Sequence, residues 1–421
     1  MENHLRVTSV EVEGGGSLTC SFEVEGPWSN VFLTRKFTAV YSEDISAVPE
    51  SVLIVPFLAN VLPVAWVFDA VISADEVDED FHGCLESVRR GYEKMYPALK
   101  FGGLLQARKI SASQIRMVGS PLAFFSGGVD AFQTLIAHLD EKPCLFTVWG
   151  ADVPLDDSEG WRRVEEHQRA VAEDFSLGRH TVVSNLRSIV DEHAMWERVK
   201  AGGDGWWHGF QHGLGLLGLA APVSYLKRVG TIYIASSFTA ADRGRATCAS
   251  DPSIDNNVSF CGTRTWHDGY DLTRQEKIRN LVRFSRSWGK PIRIRVCWES
   301  EGGSNCSHCE KCLRTILALY AEKAEPRNFG FDYDDFDELG IELRERFPGI
   351  VPESWLNSQY APQQRALRSN YSLNEVSPGW QWFYEGDVEE MGRLTFFRHV
   401  LRKLLKIRRS ARVQFRRLNG R

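Results

Sequence analysis

Four of the nine cysteines fall between positions 297 and 312, and no other feature constrains the chain as tightly. Cys297, Cys306, Cys309 and Cys312 read C-x8-C-x2-C-x2-C. Four thiolates at such spacing satisfy a tetrahedral Zn²⁺ and close its coordination sphere, which is the structural rather than the catalytic arrangement. An iron–sulfur cluster is the rival occupant, because C-x2-C-x2-C also occurs in ferredoxins, but their further C-x3-C-P is absent. The pattern predicts a strand over Ile292–Trp298 delivering Cys297, a loop delivering Cys306, and a helix over Glu310–Glu322 that begins beside the last two. Lys311 and Arg314 stand where they offset the charge of four thiolates. Cys20, Cys84, Cys144, Cys248 and Cys261 are scattered and read as small core residues. An odd, thinly spread total argues against a disulfide framework and for a reducing compartment.

At 421 residues, 43% hydrophobic and 25% charged, the chain has material for two or three globular units. No run approaches the roughly 18 apolar residues of a membrane span. The opening MENHLRVTSVEVEGG lacks the basic and apolar segments of a secretory leader, so a soluble cytoplasmic protein is expected. Charge is uneven. Positions 398–421 carry ten basic side chains and no acid, leaving −15 on residues 1–397 out of a net −5. Phe397, Leu401, Leu404 and Leu405 beside these cations predict a basic amphipathic helix. Such a helix suits nucleic acid, a membrane surface, an acidic partner or the chain's own acidic body.

The chain changes rhythm near residue 120. Before it, Arg6–Glu13, Leu18–Glu25 and Val31–Tyr41 alternate as antiparallel strands. A helix is expected from Ser73, with Glu76 completing a capping box and Val77, Phe81, Leu85, Val88, Tyr92 and Met95 on one face. The acidic run Asp75–Asp80 then reads as a solvated helix start. After residue 120, strands Leu122–Phe125, Cys144–Trp149, His180–Ser184 and Thr231–Ala235 alternate with helices Ala131–Leu139, Gly160–Phe175 and Trp206–Ala221. That alternation builds right-handed βαβ units around a parallel sheet, whose ligands sit beyond the carboxyl ends of the strands. The expected division is an α+β region over 1–110, a core over 115–325, and a mixed, largely helical region over 326–421.

Ser126-Gly127-Gly128-Val129-Asp130-Ala131 lies between the first core strand and its helix. Paired glycines let backbone N–H groups approach an anion at a helix N-terminus, with the Ser126 hydroxyl as a further donor. A carboxylate beside phosphate, here Asp130, implies an intervening Mg²⁺. The spacing is not that of a Walker A loop. It resembles the S-G-G-x-D-S signature of the PP-loop ATP pyrophosphatases, with Ala131 in place of the last Ser.

Together with the cysteine spacing downstream, residues 121–320 resemble the zinc-containing 7-cyano-7-deazaguanine synthase (QueC) family. Asp271-Leu272-Thr273-Arg274-Gln275-Glu276-Lys277-Ile278 is similar to that family's L-T-K-A-E-I segment, with Arg274 replacing the lysine. Ile234–Asp242 and Ser250-Asp251-Pro252 stand where its substrate loops lie, and its G-R-N has no counterpart around His208-Gly209-Phe210. The resemblance implies an α/β, Rossmann-like (HUP-type) PP-loop core and a homodimer. It implies ATP-dependent adenylation of a carboxylate such as 7-carboxy-7-deazaguanine, followed by amide formation with an amine. Asp130 and Arg274 are then the catalytic candidates, Ser126–Ala131 the ATP loop, and Asp242, Asp251 and Thr273 the substrate candidates. The flanks exceed what a housekeeping synthase needs. QueC-like proteins with such extra regions occur in antiviral gene clusters, where the amine acceptor is a protein N-terminus. A nucleic-acid acceptor and a non-catalytic nucleotide sensor are the alternatives.

Two lookalikes are discounted as a dinucleotide site and a second metal site. Gly213-Leu214-Gly215-Leu216-Leu217-Gly218 fits G-x-G-x-x-G but follows no strand, so the small residues are expected to allow close helix packing. His208 and His212 share a helix face but lack the glutamate of H-E-x-x-H, and read as packing or substrate-pocket histidines.

Overall fold

A computed structural model describes residues 3–113, 115–297, 303–350 and 359–388. The chain forms two compact units, Met1–Asp271 with Glu301–Ser304, and Leu272–Ser300 with Asn305–Arg421. These boundaries differ from the expected ones near 110 and 325. The basic C-terminal helix expected near residue 400 lies outside the described residues.

The first unit is built on one eleven-stranded sheet. Its strands are β1 (His4–Glu13), β2 (Ser17–Glu25), β3 (Lys36–Tyr41), β4 (Val71–Asp78), β5 (Leu104–Ser111), β6 (Leu122–Phe124), β7 (Cys144–Trp149), β8 (Arg179–Ser184), β9 (Thr231–Ala235), β10 (Ser259–Phe260) and β11 (Thr263–Asp268). They lie in the order β10-β11-β9-β6-β7-β8-β3-β2-β1-β4-β5. The strands β11, β9, β6, β7 and β8 are mutually parallel. Taken in chain order as first to fifth, they run 3-2-1-4-5 across the sheet, the doubly wound arrangement. The expected α/β class with a Rossmann-like core is therefore present.

The N-terminal strands continue that same sheet. β3 pairs antiparallel with β8 through Ala39–Ser184, Val40–Val183 and Tyr41–Val182. β2 and β1 follow antiparallel, and β4 and β5 then pair parallel.

Two local expectations are corrected. Ser73 does not start a helix. Residues Val71–Asp78 form β4 between β1 and β5, where the Ser73 hydroxyl meets His4 Nε2 at 2.8 Å and Glu76 accepts from Lys109 at 2.9 Å. A Ser-x-x-Glu spacing serves a strand face as readily as a cap. The N-cap is Asp78, which accepts from Phe81 N–H at 3.0 Å and opens the helix Glu79–Met95. Ile292–Cys297 is not a strand either. It runs outside any ladder, tied by Ile294 N–H to the Phe329 carbonyl (3.0 Å).

Helix α1 (Val55–Phe68) has thirteen of its fourteen residues buried. It packs against α5 (His212–Leu219), which carries the glycine triplet. A Cβ on Gly218 would sit 2.3 Å from Ala59 Cβ, and one on Gly215 2.5 Å from Asn60 Oδ1. These glycines therefore serve close helix packing, as expected. The long helix expected over Trp206–Ala221 is three pieces: a π-helical turn Trp207–Gln211, then α5, then Ala221–Lys227 opening on Pro222. Three further helices flank the parallel strands: α2 (Glu79–Met95), α3 (Val129–Ala137) and α4 (Ser158–Phe175).

The second unit is helical among its described residues: α6 (Arg274–Trp288), α7 (Glu310–Ala321), α8 (Phe336–Ile350) and α9 (Ala361–Asn370). Aromatic rings fill it, with Tyr320 against Phe336 and Phe347 against Tyr360, both pairs 4.9 Å apart. Among the described residues, no helix is long and apolar enough to cross a membrane.

Candidate functional site

The loop after β6 lies where the sheet reverses its winding. From β6 the chain moves to β7 and β8 on one side, then crosses to β9 on the other. Helices on the two sides of such a point splay apart and leave a crevice at the carboxyl edge. Two hydrogen bonds fix the entry to the loop: Phe125 N–H donates to the Phe146 carbonyl (2.9 Å), and Thr147 Oγ1 donates to the Phe125 carbonyl (2.7 Å). Gly127 then takes φ +77°, a left-handed value that costs a side-chain-bearing residue about 1–2 kcal/mol.

Gly128 is extended and precedes α3 without a side-chain cap. Its N–H reaches Ser126 Oγ at 3.4 Å. Val129 and Ala131 are buried beneath the turn, Ser126 is exposed and Asp130 half-buried. The six residues expected to form the ATP loop are thus one turn at a helix N-terminus on the carboxyl edge of a parallel sheet, geometry suited to an anion.

The other expected site residues are each buried or tied into a local cap. Arg274 is 7% exposed, so it is no surface residue, and it opens α6 in the second unit. Thr273 is the N-cap of α6 and exchanges a capping box with Glu276, its N–H at 2.8 Å and its hydroxyl at 2.7 Å from Glu276 Oε2. Asp242 caps Thr239, accepting its N–H at 2.9 Å and its hydroxyl at 3.1 Å. Asp251 accepts from Ser253 N–H at 2.8 Å and its hydroxyl at 2.6 Å. All three substrate candidates are held in local turns.

The cysteine cluster closes as the spacing requires. The four sulfurs lie within 4.8 Å of one another. Cys297 Sγ and Cys309 Sγ are 3.8 Å apart, and Cys306 Sγ and Cys312 Sγ 4.0 Å. A tetrahedron with metal–sulfur bonds of about 2.3 Å has edges near 3.8 Å, so these separations fit a metal and exclude disulfides. Among the described residues this is the group of ligands able to hold a metal ion.

Local structure sets it up. Ser307 adopts φ +62°, turning the chain so that Cys309 N–H donates to Cys306 Sγ at 3.2 Å. Cys309 is the N-cap of α7, and its sulfur accepts Cys312 N–H at 3.5 Å. Hydrogen bonds from the Cys312 thiol and other neighbours, working against burial, bring the Cys309 thiol down to about 5. Burial pushes Cys306 up to about 11. Asn305 clamps the segment bearing Cys297, accepting Val296 N–H at 2.9 Å and donating to the Ile294 carbonyl at 2.8 Å. Arg314 is buried and pairs with Glu310 at 3.2 Å, which also accepts from the Tyr360 hydroxyl at 2.8 Å.

Sequence reasoning passed over a buried group in the first unit. His267 Nδ1 and Asp255 Oδ2 share a hydrogen bond of 2.8 Å, and Ser250 Oγ donates to the same oxygen at 2.7 Å. His267 is the penultimate residue of β11, and Asp255 ends the short helix Pro252–Asp255. Residues twelve apart on different elements leave no local pattern to read. No family model, curated protein or solved structure matches this chain.

Proposed function

We propose that the protein is an ATP-dependent carbon–nitrogen ligase of the PP-loop type, similar in chemistry to the 7-cyano-7-deazaguanine synthases. The observation that carries this reading is the Ser126–Ala131 turn at the switch point of a doubly wound sheet, with left-handed Gly127 leading into α3. Main-chain N–H groups there would hold the ATP phosphates, and Asp130 would hold a Mg²⁺ that neutralises them.

A substrate carboxylate oxygen, 7-carboxy-7-deazaguanine being the favoured acid, would attack the α-phosphorus and expel pyrophosphate. An amine nitrogen would then attack the acyl carbon, expel AMP and lose a proton to leave an amide. Ammonia and a protein N-terminus, as in an antiviral system, are the acceptors considered. Positioning and charge stabilisation are what the loop contributes to such steps. Zn²⁺ is the metal that best suits the four thiolates, where it would tie the start of α7 to the Cys297 segment as a structural centre. A cytoplasmic setting agrees with nine cysteines that form no disulfide among the described residues.

Incubation with ATP, Mg²⁺ and 7-carboxy-7-deazaguanine tests the reading, with AMP, pyrophosphate and the new acyl product measured together. The expected result is AMP formation that Asp130→Ala lowers on the order of 100-fold. AMP formation unchanged in Asp130→Ala removes the role given to this loop. Nucleotide bound without turnover favours a sensor, to which the departure at Ala131 also points. The ten cations of 398–421 favour nucleic acid as the acceptor in a second reading. Binding to RNA that is insensitive to salt would count against it.

A further inference from the structure

The sheet of the first unit ends on a strand with one open side. β5 is last in the strand order, and among the described residues no strand pairs with it except β4. Its Leu104 N–H donates to the Ala70 carbonyl at 3.1 Å. In a parallel ladder the N–H and C=O of one residue point to the same side. Leu104, Gln106, Arg108 and Ile110 therefore bond toward β4, and Leu105, Ala107, Lys109 and Ser111 turn theirs outward.

Proteins blunt such edges with charge, proline or a covering element, because bare main-chain groups recruit other strands. β5 has no proline. Arg108 lies 3.3 Å from Asp75 and Lys109 2.9 Å from Glu76, so acids on β4 answer both of its cations. Leu104, Gln106, Arg108 and Ile110 share one exposed face, where Leu104 is 48% and Ile110 47% exposed. Apolar side chains thus stand at both ends of an open edge, with neutralised charge between them.

We propose that β5 pairs antiparallel with β5 of a second copy of this chain, about a two-fold axis at Ala107, joining two eleven-stranded sheets into one. Three requirements select that register. Residues with outward main-chain groups must face one another, which excludes a slip of one residue. Like charges must not meet on the axis, which excludes the register that sets Arg108 against itself. A shift the other way, with Gln106 on the axis, carries Ile110 past the end of the opposing strand. With Ala107 on the axis, Leu105 faces Lys109 of the partner subunit, and these pairs and Ala107 with its own copy exchange main-chain hydrogen bonds. The pairs between them do not, and they bring Cα atoms to about 4.5 Å with side chains closest. Those places fall to Leu104 against Ile110 and to Gln106 against Arg108. The exposed apolar side chains are covered, and the arginine meets an amide acceptor. The interface lies in the N-terminal strands, outside residues 121–320 that resemble the synthase family, and it does not rest on the ligase reading.

Cysteine cross-linking of the full-length protein tests the register. A disulfide needs Cα atoms about 4.4–6.8 Å apart, which the Leu104–Ile110 pair meets. The double variant Leu104→Cys with Ile110→Cys is expected to form a covalent dimer under mild oxidation. Wild type, with its nine native cysteines, and each single variant are expected to form none. Both positions are exposed, so these changes leave the core intact. Sedimentation over a concentration series should show a monomer–dimer equilibrium that Ile110→Lys weakens by about tenfold. A dimer that Ile110→Lys leaves unaltered, with no cross-link in the double variant, uses another surface and overturns the proposal. Cross-linking in Ile110→Cys alone overturns the axis at Ala107. Wild type that stays monomeric throughout leaves the edge to a strand of another protein and overturns self-pairing.

Discussion

Single side chains carry their own signatures in this molecule. His138 caps the C-terminus of α3, stacked on Tyr233 with 3.7 Å between ring centroids. Its Nδ1 lies 2.7 Å from Glu141 and its Nε2 3.1 Å from Asp268, which also accepts from Thr134 Oγ1 at 2.8 Å. Burial opposes charge on the ring, but the hydrogen bonds to Asp268 and Glu141 outweigh it and raise the His138 pKa. The sign follows directly. A folded-state pKa above the unfolded value stabilises the protein fully below about pH 6.5, and the contribution fades as pH rises through the folded value. Melting temperatures of wild type and His138→Gln should therefore differ most in mild acid and converge in base. A constant difference across that range would show that the ring acts by packing alone.

Among the elements, helix contacts and the cysteine centre give the plainest tests. Gly218→Val would push a branched side chain into Ala59, where a Cβ alone already comes to 2.3 Å. Overpacking of this kind costs about 1–3 kcal/mol, to be read from the urea midpoint. For α7, the expectation is that a chelator lowers the melting temperature of wild type and leaves Cys309→Ser unchanged. Mass spectrometry should find metal in wild type, lost on chelation, and little in Cys309→Ser at the outset. The elements also show what could be read in the sequence and why. Strands β6 to β9, helices α3 and α4, the Ser126–Ala131 turn and the four cysteines were legible because each has a local pattern or spacing. Helix α1 was not: buried on every side, it has no amphipathic period to detect. β4 was misread because Ser73 and Glu76 satisfy a capping rule and a strand face alike. The His267–Asp255 pair was hidden because its members meet only through tertiary packing.

For the molecule as a whole, the sheet is the organising fact of the first unit. The N-terminal strands do not form a separate layer; β3 closes the edge of β8, and β1 carries β4 and β5. Removing residues 1–41 would open β8 and strip Phe22, Trp28 and Phe37 from the core. An exposed, half-apolar edge pairs with other chains. The truncated protein is expected in the insoluble fraction, and a soluble monomer on size exclusion would show that the parallel core stands alone. The same seam sets a timetable during synthesis. Ala39 finds its partner at Ser184, 145 positions downstream. At roughly 5–20 residues per second, the ribosome needs about 7–30 s to supply it. Throughout that interval the nascent hairpin waits with one side unmatched, and this is when a holding chaperone has most to do.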